Sequence, residues 1–372
     1  MPFAPQYQIT PETATALMSI EAARTAVDAL PVHPRIIASL RVSARLSSTH
    51  YSTQIEGNRL ALAEVEQVLS RKSAHIRGRQ RDEDEVRNYY MAAEKAEALA
   101  RLKRSFRLED LQLLHGMAMN GKSKPTPFRD GQNVIRDSGS GGLVYMPPEA
   151  KDVALLMEEL VAWIVGEIEQ GRLPAPIIAA LAHYQFATIH PYYDGNGRTS
   201  RLMATMILHR CGYGLKGIYS LEEYYARNLN GYYEALSVGP SHNYYFGRAE
   251  ADVTGFVAYF CQGMADAFTK VRHHVESVDN NSPAGESSVA STAIGRELTP
   301  MQRHVLGAFA KSKVLTVAEI SAALGISQRQ SRTQCAAWLQ EGFFVLHNSS
   351  SKARSYRLAE PFEALVHPAS QG

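Results

Sequence analysis

The segment from His190 to Arg201, HPYYDGNGRTSR, concentrates the residue types that catalysis needs. It holds a histidine, the carboxylate of Asp194, two glycines and two arginines within twelve positions. Because histidine ordinarily titrates near neutrality, His190 is expected to take a proton from an attacking hydroxyl. Guanidinium groups bind phosphate oxygens bidentately. The segment therefore predicts a catalytic loop that binds phosphate.

Two predicted helices position this loop. The first spans Leu173–Ile189 and stops before Pro191, because the proline ring disfavours the helical conformation of the preceding residue. The second begins near Asn196 and ends at Gly212, a residue type that favours helix C-termini. The DGNG sequence is thus predicted to lead into a helix N-terminus.

A loop of this kind is an anion site, because the first N–H groups of the helix are unpaired and lie at the positive end of its dipole. Gly195 and Gly197 allow positive φ and a close approach of phosphate to the backbone. Arg198 and Arg201, three residues apart, share one helix face and are predicted to hold a polyphosphate. Asp194 would repel those phosphates unless Mg²⁺ lies between them.

Each feature alone is also compatible with a structural role, since DGNG is typical of turns and paired arginines are typical of a solvated face. Their coincidence favours a site. The segment resembles the signature of the Fic domain family, HPFxDGNGRxxR, at every specified position but one. Tyr192 stands where the family most often has Phe, which adds a hydroxyl that needs a hydrogen-bond partner if the side chain is buried.

The resemblance implies transfer of AMP from ATP to a Ser, Thr or Tyr hydroxyl of a protein, with release of pyrophosphate. His190 would be the base, Asp194 would hold Mg²⁺, and ATP would be the co-substrate. Arg198 would hold the β-phosphate and Arg201 the γ-phosphate. A dense run of tyrosines is ordinarily core or amphipathic surface, but the resemblance implies that Tyr232 or Tyr233 walls the adenine pocket. The implied nucleotide-binding set is Gly195, Asn196, Gly197, Arg198, Arg201, Tyr232 and Tyr233.

A second informative segment is Ser47–Leu60, SSTHYSTQIEGNRL. A Gly-Asn turn ends a short predicted helix that carries Ser52 and Glu56 on one face, four residues apart. By itself this pattern is typical of a helix end with a solvated glutamate. Beside the catalytic loop it resembles [ST]xxxE[GN], the inhibitory motif that many Fic proteins carry ahead of the catalytic core. The resemblance implies that Glu56 pairs with Arg201 and fills the space of the γ-phosphate.

Between Phe128 and Pro148, two short extended runs flank a Gly/Ser-rich tip, a pattern that predicts a β-hairpin. It is either a surface decoration or an edge for a third strand, because an isolated hairpin is marginal in water. The family resemblance implies a flap on which the backbone of the target protein is laid. The predicted strands are Gln132–Ile135 and Val144–Met146. The predicted docking residues are Gln132, Asn133, Val134, Ile135, Val144, Tyr145 and Met146.

Length and composition limit the number of domains and the kinds of partner and site that the chain can have. A chain of 372 residues is long enough for two to three domains, and a net charge of +2 gives no global argument for nucleic acid or membrane. Three scattered cysteines fit neither a zinc site nor a disulfide framework. The sequence shows neither a secretory leader pattern nor an apolar run of transmembrane length, so we expect a soluble cytoplasmic protein without a membrane partner.

The remaining pattern predicts a mainly α fold: a Fic-type helical bundle with a β-hairpin flap, plus a small C-terminal winged helix-turn-helix domain. A Ser/Gly/Pro/Asn-rich linker precedes three short helices and a strand–turn–strand pattern in which basic residues outnumber acidic ones. In winged helices the third helix often enters the DNA major groove. The predicted boundaries are 1–100 for an N-terminal helical region with its inhibitory helix at about 47–58, 101–278 for the core, 279–296 for the linker and 297–372 for the winged helix.

Two other functions stay open. The same scaffold would serve a hydrolase that removes AMP from a modified protein, with Glu56 orienting water. Alternatively the chain is a DNA-binding regulator with a weakly active Fic domain, although a decayed site should have lost one of its motif residues. The sequence leaves open the target, self-modification, homodimer formation and whatever relieves inhibition.

Overall fold

The computed structural model describes residues 3–29, 34–70, 78–136, 139, 141–239, 241–280, 298–309, 312–348, 350, 354–363 and 366. Up to residue 280 the described chain is mainly helical, with one short hairpin. Its helices are α1 (Pro11–Ala29), α2 (Pro34–Ile55), α3 (Leu62–Ser70), α4 (Gln80–Ala100), α5 (Leu108–Asn120), α6 (Ala150–Gln170), α7 (Ala175–Ile189), α8 (Asn196–Arg210), α9 (Glu222–Arg227), α10 (Leu229–Leu236) and α11 (Thr254–Asn280). The hairpin strands are β1 (Ile135–Arg136) and β2 (Leu143–Tyr145).

Helix α7 is the centre of the bundle. All of its residues except Ala187 are buried, as expected of a helix that is apolar around its whole circumference. It packs against α6, α8 and α11. This packing fixes the end of α7, from which the candidate catalytic loop begins.

Helix α2 is longer than predicted. Its sequence favours a helix over Pro34–Leu46 and a separate short helix for the inhibitory segment, but one helix runs through to Ile55. Packing overrides the weak helix propensity of the Ser/Thr-rich stretch, because Thr49, Ser52 and Thr53 are buried and α2 lies against α4 and α9. The inhibitory residues therefore stand on a long helix anchored in the core.

The C-terminal module has its own core. Its helices and strands are α12 (Pro300–Phe309), β3 (Leu315–Thr316), α13 (Val317–Leu324), α14 (Gln328–Gln340), β4 (Phe344–Asn348), β5 (Ser355–Leu358) and α15 (Glu360–Glu363). The strands form an antiparallel sheet in the order β3-β5-β4. Trp338, Phe343, Phe344 and Tyr356 are buried between sheet and helices. The three longer helices and the two later strands follow the predicted order, whereas β3 and α15 were not predicted. Most of the predicted linker, residues 281–296, lies outside the described residues.

Within the described ranges, no helix combines the length and the apolar character needed to cross a membrane.

Candidate active site

The predicted catalytic loop joins α7 to α8 through a tightly hydrogen-bonded turn. His190 ends α7 in the left-handed conformation, with φ 53° and ψ 60°, and its N–H donates to the carbonyl of Phe186 over 3.0 Å. Gly195, with φ 77°, caps the start of α8. The left-handed conformation at both ends of the segment allows the tight turn between α7 and α8.

Asn196 holds this loop closed. Its buried side chain accepts the Tyr192 N–H over 3.0 Å and donates to the Tyr192 carbonyl over 2.8 Å. Oδ1 and one of the two Nδ2 hydrogens are thereby used, so the side chain clamps the turn. The second Nδ2 hydrogen and the backbone N–H are the donors left for the predicted phosphate contact.

The His190 ring is oriented as a base. Its Nδ1 lies 3.3 Å from the Ala187 carbonyl, which can only accept, so Nδ1 carries the proton and Nε2 has the free lone pair. Burial, opposed by this hydrogen bond, lowers the pKa of His190 to about 4. This pKa lies below the near-neutral value of an exposed histidine, because burial penalises the imidazolium.

The two motif arginines each keep one buried N–H group without a partner. In the described structure, Nε of Arg198 and Nη1 of Arg201 make no hydrogen bond, and both side chains are almost fully buried. An unsatisfied buried donor costs about 1–3 kcal/mol. Phosphate oxygens at the N-terminus of α8 would satisfy both donors, so the residues present fit a bound polyphosphate.

Asp194 lies at the mouth of the loop with its side chain 60% exposed. Its Oδ1 accepts the Gly195 N–H over 2.6 Å and Nη2 of Arg198 over 3.2 Å. No group of three or more metal-ligating side chains occurs among the described residues. Mg²⁺ commonly binds through one carboxylate together with substrate phosphates and water, and Asp194 fits that mode.

Arg201 is held by the segment that resembles the inhibitory motif. Its Nε donates to Oγ of Ser52 over 2.8 Å, and its Nη2 donates to the Ser52 carbonyl over 3.0 Å and to Oε1 of Glu56 over 2.8 Å. Burial opposes the charge of Arg201, but Glu56 and neighbouring tyrosine hydroxyls outweigh it and raise its pKa. A Cβ atom placed on Gly197 would clash with Oε1 of Glu56. The Glu56 carboxylate therefore stands directly against the first turn of α8.

A further carboxylate, missed in the sequence, holds Arg198. Glu85 on α4 forms an ion pair with Nη1 of Arg198, and its Oε2 accepts a hydrogen bond of 2.8 Å from Asn58. Burial raises the pKa of Glu85, opposed by the contacts with Asn58 and Arg198. Because Glu85 lies within the run RDEDE, which looks like a solvated helix start, the sequence contains no signal that marks it.

His115 on α5 supports the loop from behind. Its Nε2 lies 2.9 Å from the Asp194 carbonyl and therefore carries the proton. Its ring stacks on Tyr192 with a centroid separation of 3.5 Å and an interplanar angle of 12°. Burial lowers the pKa of His115. Sequence reasoning missed this residue too, because a lone histidine on a helix has no distinguishing pattern.

We expect the Tyr192→Phe variant to be more stable than the wild type by about 1 kcal/mol, because it removes a polar group that is buried without a partner. Tyr192 is 2% exposed and its hydroxyl makes no hydrogen bond within the described structure. The free energy of unfolding in urea measures the effect. A loss of stability would show that the hydroxyl has a partner, such as ordered water.

The predicted flap is present but shorter. β1 pairs antiparallel with β2 in the register Ile135 to Tyr145, and residues 132–134 are loop rather than strand. Asn133 explains this: its Oδ1 accepts the Val134 N–H over 2.8 Å and its Nδ2 donates to the Tyr192 carbonyl over 3.2 Å. Gln132 donates to the Pro147 carbonyl over 3.0 Å. These side-chain bonds replace the predicted ladder and tie the flap to the catalytic loop.

One edge of the flap is already occupied. Met146, predicted as part of the second strand, forms an isolated parallel bridge with Asn243. Its N–H donates to the His242 carbonyl over 2.7 Å, and its carbonyl accepts the Tyr244 N–H over 3.0 Å. Among the described residues, no segment pairs with the outer edge of β1. The outer edge of β1 is therefore the one that the described residues leave open.

The two tyrosines predicted for the adenine pocket differ in how far they are exposed to solvent. Tyr232 is 2% exposed, stacks on Tyr225 at 4.7 Å and lies 2.9 Å from Nε2 of His183 through its hydroxyl, so it is a core residue. Its hydroxyl also lies beside the guanidinium of Arg201. Tyr233 is 46% exposed and reaches the Ile55 carbonyl at 3.4 Å, which places it beside the inhibitory turn. Adjacent positions on a helix face different directions, so Tyr232 approaches Arg201 from the core and Tyr233 lies beside the inhibitory turn at the surface.

Part of the chain is similar in sequence to Fic proteins. Residues 105–208 match the Fic/DOC family. Protein adenylyltransferase Fic of Drosophila grimshawi is 32% identical over 198 residues, which are 53% of this chain and 40% of that protein; its Drosophila willistoni counterpart is 31% identical over 198 residues, 53% of this chain and 38% of that protein. The chain thus matches well under half the length of these relatives.

Among solved structures, a Fic family protein from Desulfovibrio desulfuricans has a TM-score of 0.58 at 24% identity, and covers 96% of this chain and 99% of its own. A Fic domain containing signaling protein from Bacteroides thetaiotaomicron has a TM-score of 0.59 at 19% identity, and covers 74% of this chain and 99% of its own. Both likenesses show the fold.

Proposed function

The chain carries a Fic/DOC family domain at residues 105–208, and on that premise we propose that it transfers AMP from ATP to a Ser, Thr or Tyr hydroxyl of a protein. The observation that carries the proposal is that Glu56, which pairs with Arg201, also lies close enough to His190 to affect its pKa. The free lone pair on Nε2 of His190 and the unpartnered buried donors of Arg198 and Arg201 therefore belong to one site. A base and a polyphosphate cradle at one helix N-terminus are what nucleotidyl transfer needs.

In the proposed reaction, Nε2 of His190 takes the proton of the target hydroxyl, and the hydroxyl oxygen attacks the α-phosphorus of ATP. The bond between that phosphorus and the oxygen bridging to the β-phosphate breaks, and pyrophosphate leaves. The N–H groups at residues 196–198, which have no carbonyl four positions earlier in α8, would bind the α- and β-phosphates. Arg198 would hold the β-phosphate, and Arg201 the γ-phosphate.

Asp194 would hold Mg²⁺ together with the phosphates, and the bound ion would neutralise part of their charge. The exposed carboxylate supports this role, because both of its hydrogen bonds fall on Oδ1. Oδ2 is then available to a cation while Oδ1 keeps its bond to the Gly195 N–H.

We expect Asp194→Ala to abolish Mg²⁺-dependent AMP transfer while leaving the fold intact, because a side chain 60% exposed contributes little to packing. Transfer is measured with labelled ATP across a Mg²⁺ series, and folding by circular dichroism. Asp84→Asn is the matched control, since it removes an exposed carboxylate from α4. Unchanged turnover that still depends on Mg²⁺ would place the ion elsewhere.

The contacts of Glu56 support autoinhibition as part of the proposal. Its carboxylate pairs with Arg201 and lies against the α8 N-terminus, where a γ-phosphate would have to sit. A like charge in that volume repels phosphate, and the pair withdraws Arg201 from ATP. The reverse reaction, removal of AMP from a protein with Glu56 orienting water, would use the same geometry. Release of AMP from a modified protein distinguishes the two directions.

A second candidate function rests on the C-terminal module, for which we propose DNA binding. Arg329 and Arg332 are exposed on α14, and Arg354 is exposed at the start of β5. Helix α14 is the third of the module, the one that enters the major groove in winged helices. The alternative is that the surface carrying these arginines binds a protein.

If the module binds DNA, binding of the full chain in gel shifts should weaken steeply with salt, because phosphate contacts release counterions. Replacing Arg329 and Arg332 with Gln should reduce the slope of log K against log salt by roughly 1 per lost phosphate contact. Absent or salt-insensitive binding up to tens of micromolar protein would remove the DNA function and favour a protein partner.

A further inference from the structure

Arg129 lies at the base of the flap and reaches three backbone carbonyls at once. Its Nε donates to the carbonyl of His190 over 2.9 Å, its Nη1 donates to that of Gly131 over 3.0 Å, and its Nη2 donates to that of Pro148. Its backbone N–H also donates to the Pro191 carbonyl over 2.9 Å. One side chain thus joins the flap to the start of the catalytic loop.

This arginine is buried, with 4% of its surface exposed. Across the described residues, no carboxylate forms an ion pair with it, and burial lowers the pKa of Arg129, opposed by nearby tyrosine hydroxyls. A buried cation without a counter-ion is costly unless its hydrogen bonds are satisfied. The carbonyl bonds meet that need. An apolar side chain would fill the same volume but would leave the three carbonyls without this donor, so the role of Arg129 lies in its hydrogen bonds and not in packing.

The three carbonyls have a specific arrangement along the chain. Gly131 and Pro148 bracket the hairpin, whose strands and tip lie between them, and the third carbonyl belongs to the candidate base. Guanidinium is a rigid planar fork with donors in fixed directions. The two ends of the flap and the backbone of His190 are therefore held at set distances by one rigid group.

We propose that Arg129 is a positioning residue for AMP transfer, which aligns a target strand lying on the flap with the base His190. This inference rests on the proposed function. It assigns Arg129 to the transfer step and not to nucleotide binding, because the phosphate donors belong to Arg198, Arg201 and the N-terminus of α8. Displacing reacting groups by about 1 Å can cost a hundredfold in rate.

The test compares Arg129→Lys with its parent in the Glu56→Gly background. Lysine keeps a positive charge, but one ammonium group cannot reproduce a planar fork to three carbonyls. We expect AMP transfer from labelled ATP, onto the chain itself and onto proteins of a cell lysate, to fall roughly 10- to 100-fold. The dissociation constant for ADP, measured by calorimetry, should stay within about twofold, because the phosphate cradle is untouched.

The matched control is Arg210→Lys in the same background. Arg210 also donates to backbone carbonyls, those of Leu102 and Arg104, but it lies at the far end of α8. It should leave both transfer and ADP binding unchanged. If Arg129→Lys fails to fold, Arg129→Gln serves instead, because its shorter amide side chain cannot donate to three carbonyls. It should likewise lower transfer without changing the dissociation constant for ADP.

The outcomes distinguish failure of the proposed AMP transfer from failure of the role proposed for Arg129. A Glu56→Gly parent that neither binds ADP nor transfers AMP removes the proposed function and this inference with it. A parent that does both, with an Arg129→Lys variant that transfers equally well, overturns the inference alone. An equal loss of transfer and of ADP binding also overturns it, because Arg129 would then act through the nucleotide site.

Discussion

The Glu56→Gly variant is expected to bind ATP productively about 5- to 150-fold more tightly than the wild type, which corresponds to a coupling of roughly 1 to 3 kcal/mol. Glu56 pairs with a fully buried Arg201 at 2.8 Å and its own side chain is only 23% exposed, so solvent screens the pair weakly. Removing it frees the guanidinium and clears the volume beside Gly197. AMP transfer, including onto the chain itself, should rise accordingly.

Glycine is the informative substitution at this position because it removes both charge and volume. Next to Gly57, past the end of α2, it should cost about 1 kcal/mol of stability or less. Glu56→Gln is the matched variant that keeps the volume and removes the charge, so the difference between the two measures steric exclusion. Calorimetry with ATP and label transfer give the values. Equal or lower activity in Glu56→Gly, with its fold intact by circular dichroism, would mean that this contact does not inhibit.

The second large effect is expected for His190→Ala, combined with Glu56→Gly so that the parent is active. Loss of a general base reduces rate by about 10²- to 10⁴-fold, whereas the phosphate cradle on Arg198 and Arg201 remains. ATP affinity should therefore stay near that of the parent while turnover disappears. Parallel loss of ATP affinity would show that the imidazole belongs to the nucleotide site instead.

The pH dependence follows from the low pKa of this histidine, about 4. A base works when unprotonated, so turnover should be constant from neutral pH downward and fall only as the pH approaches that pKa. Glu56 is one of the groups that raise the pKa of His190, so Glu56→Gly should lower it further. An acid limb near pH 6.5 in the pH profile of turnover would show that the imidazole is not desolvated in the active enzyme.

Local sequence was sufficient to predict the catalytic loop and the two helices that flank it. Pro191 and Gly195 set the turn through backbone sterics, which depend only on neighbouring residues. The contact of Glu56 with Arg201, 145 residues apart, was reached only through the resemblance of two motifs to one family. Periodicity alone missed that α2 is continuous, because burial of its Ser/Thr stretch is a tertiary effect.

The residues that hold the catalytic loop and the motif arginines from other helices could not be predicted from the sequence, and the reason is the same for each. Glu85, His115 and Arg129 come from three separate segments and act through contacts that only the packed helices create. The assignment of Asn196 and Tyr232 to the nucleotide came from the family resemblance. Only the packed structure shows that the Asn196 amide also binds the Tyr192 backbone and that the Tyr232 hydroxyl lies 2.9 Å from His183.

The most direct measurement of the central claim incubates Glu56→Gly, in parallel with wild type and with Glu56→Gly/His190→Ala, with ATP labelled at either the α- or the γ-phosphate. We predict protein-bound label only from the α-labelled ATP, a mass increase of one AMP on the modified protein, weak signal in the wild type and none in the double variant. Label transferred from the γ-phosphate, or equal α-label in the presence and absence of His190, would contradict the account.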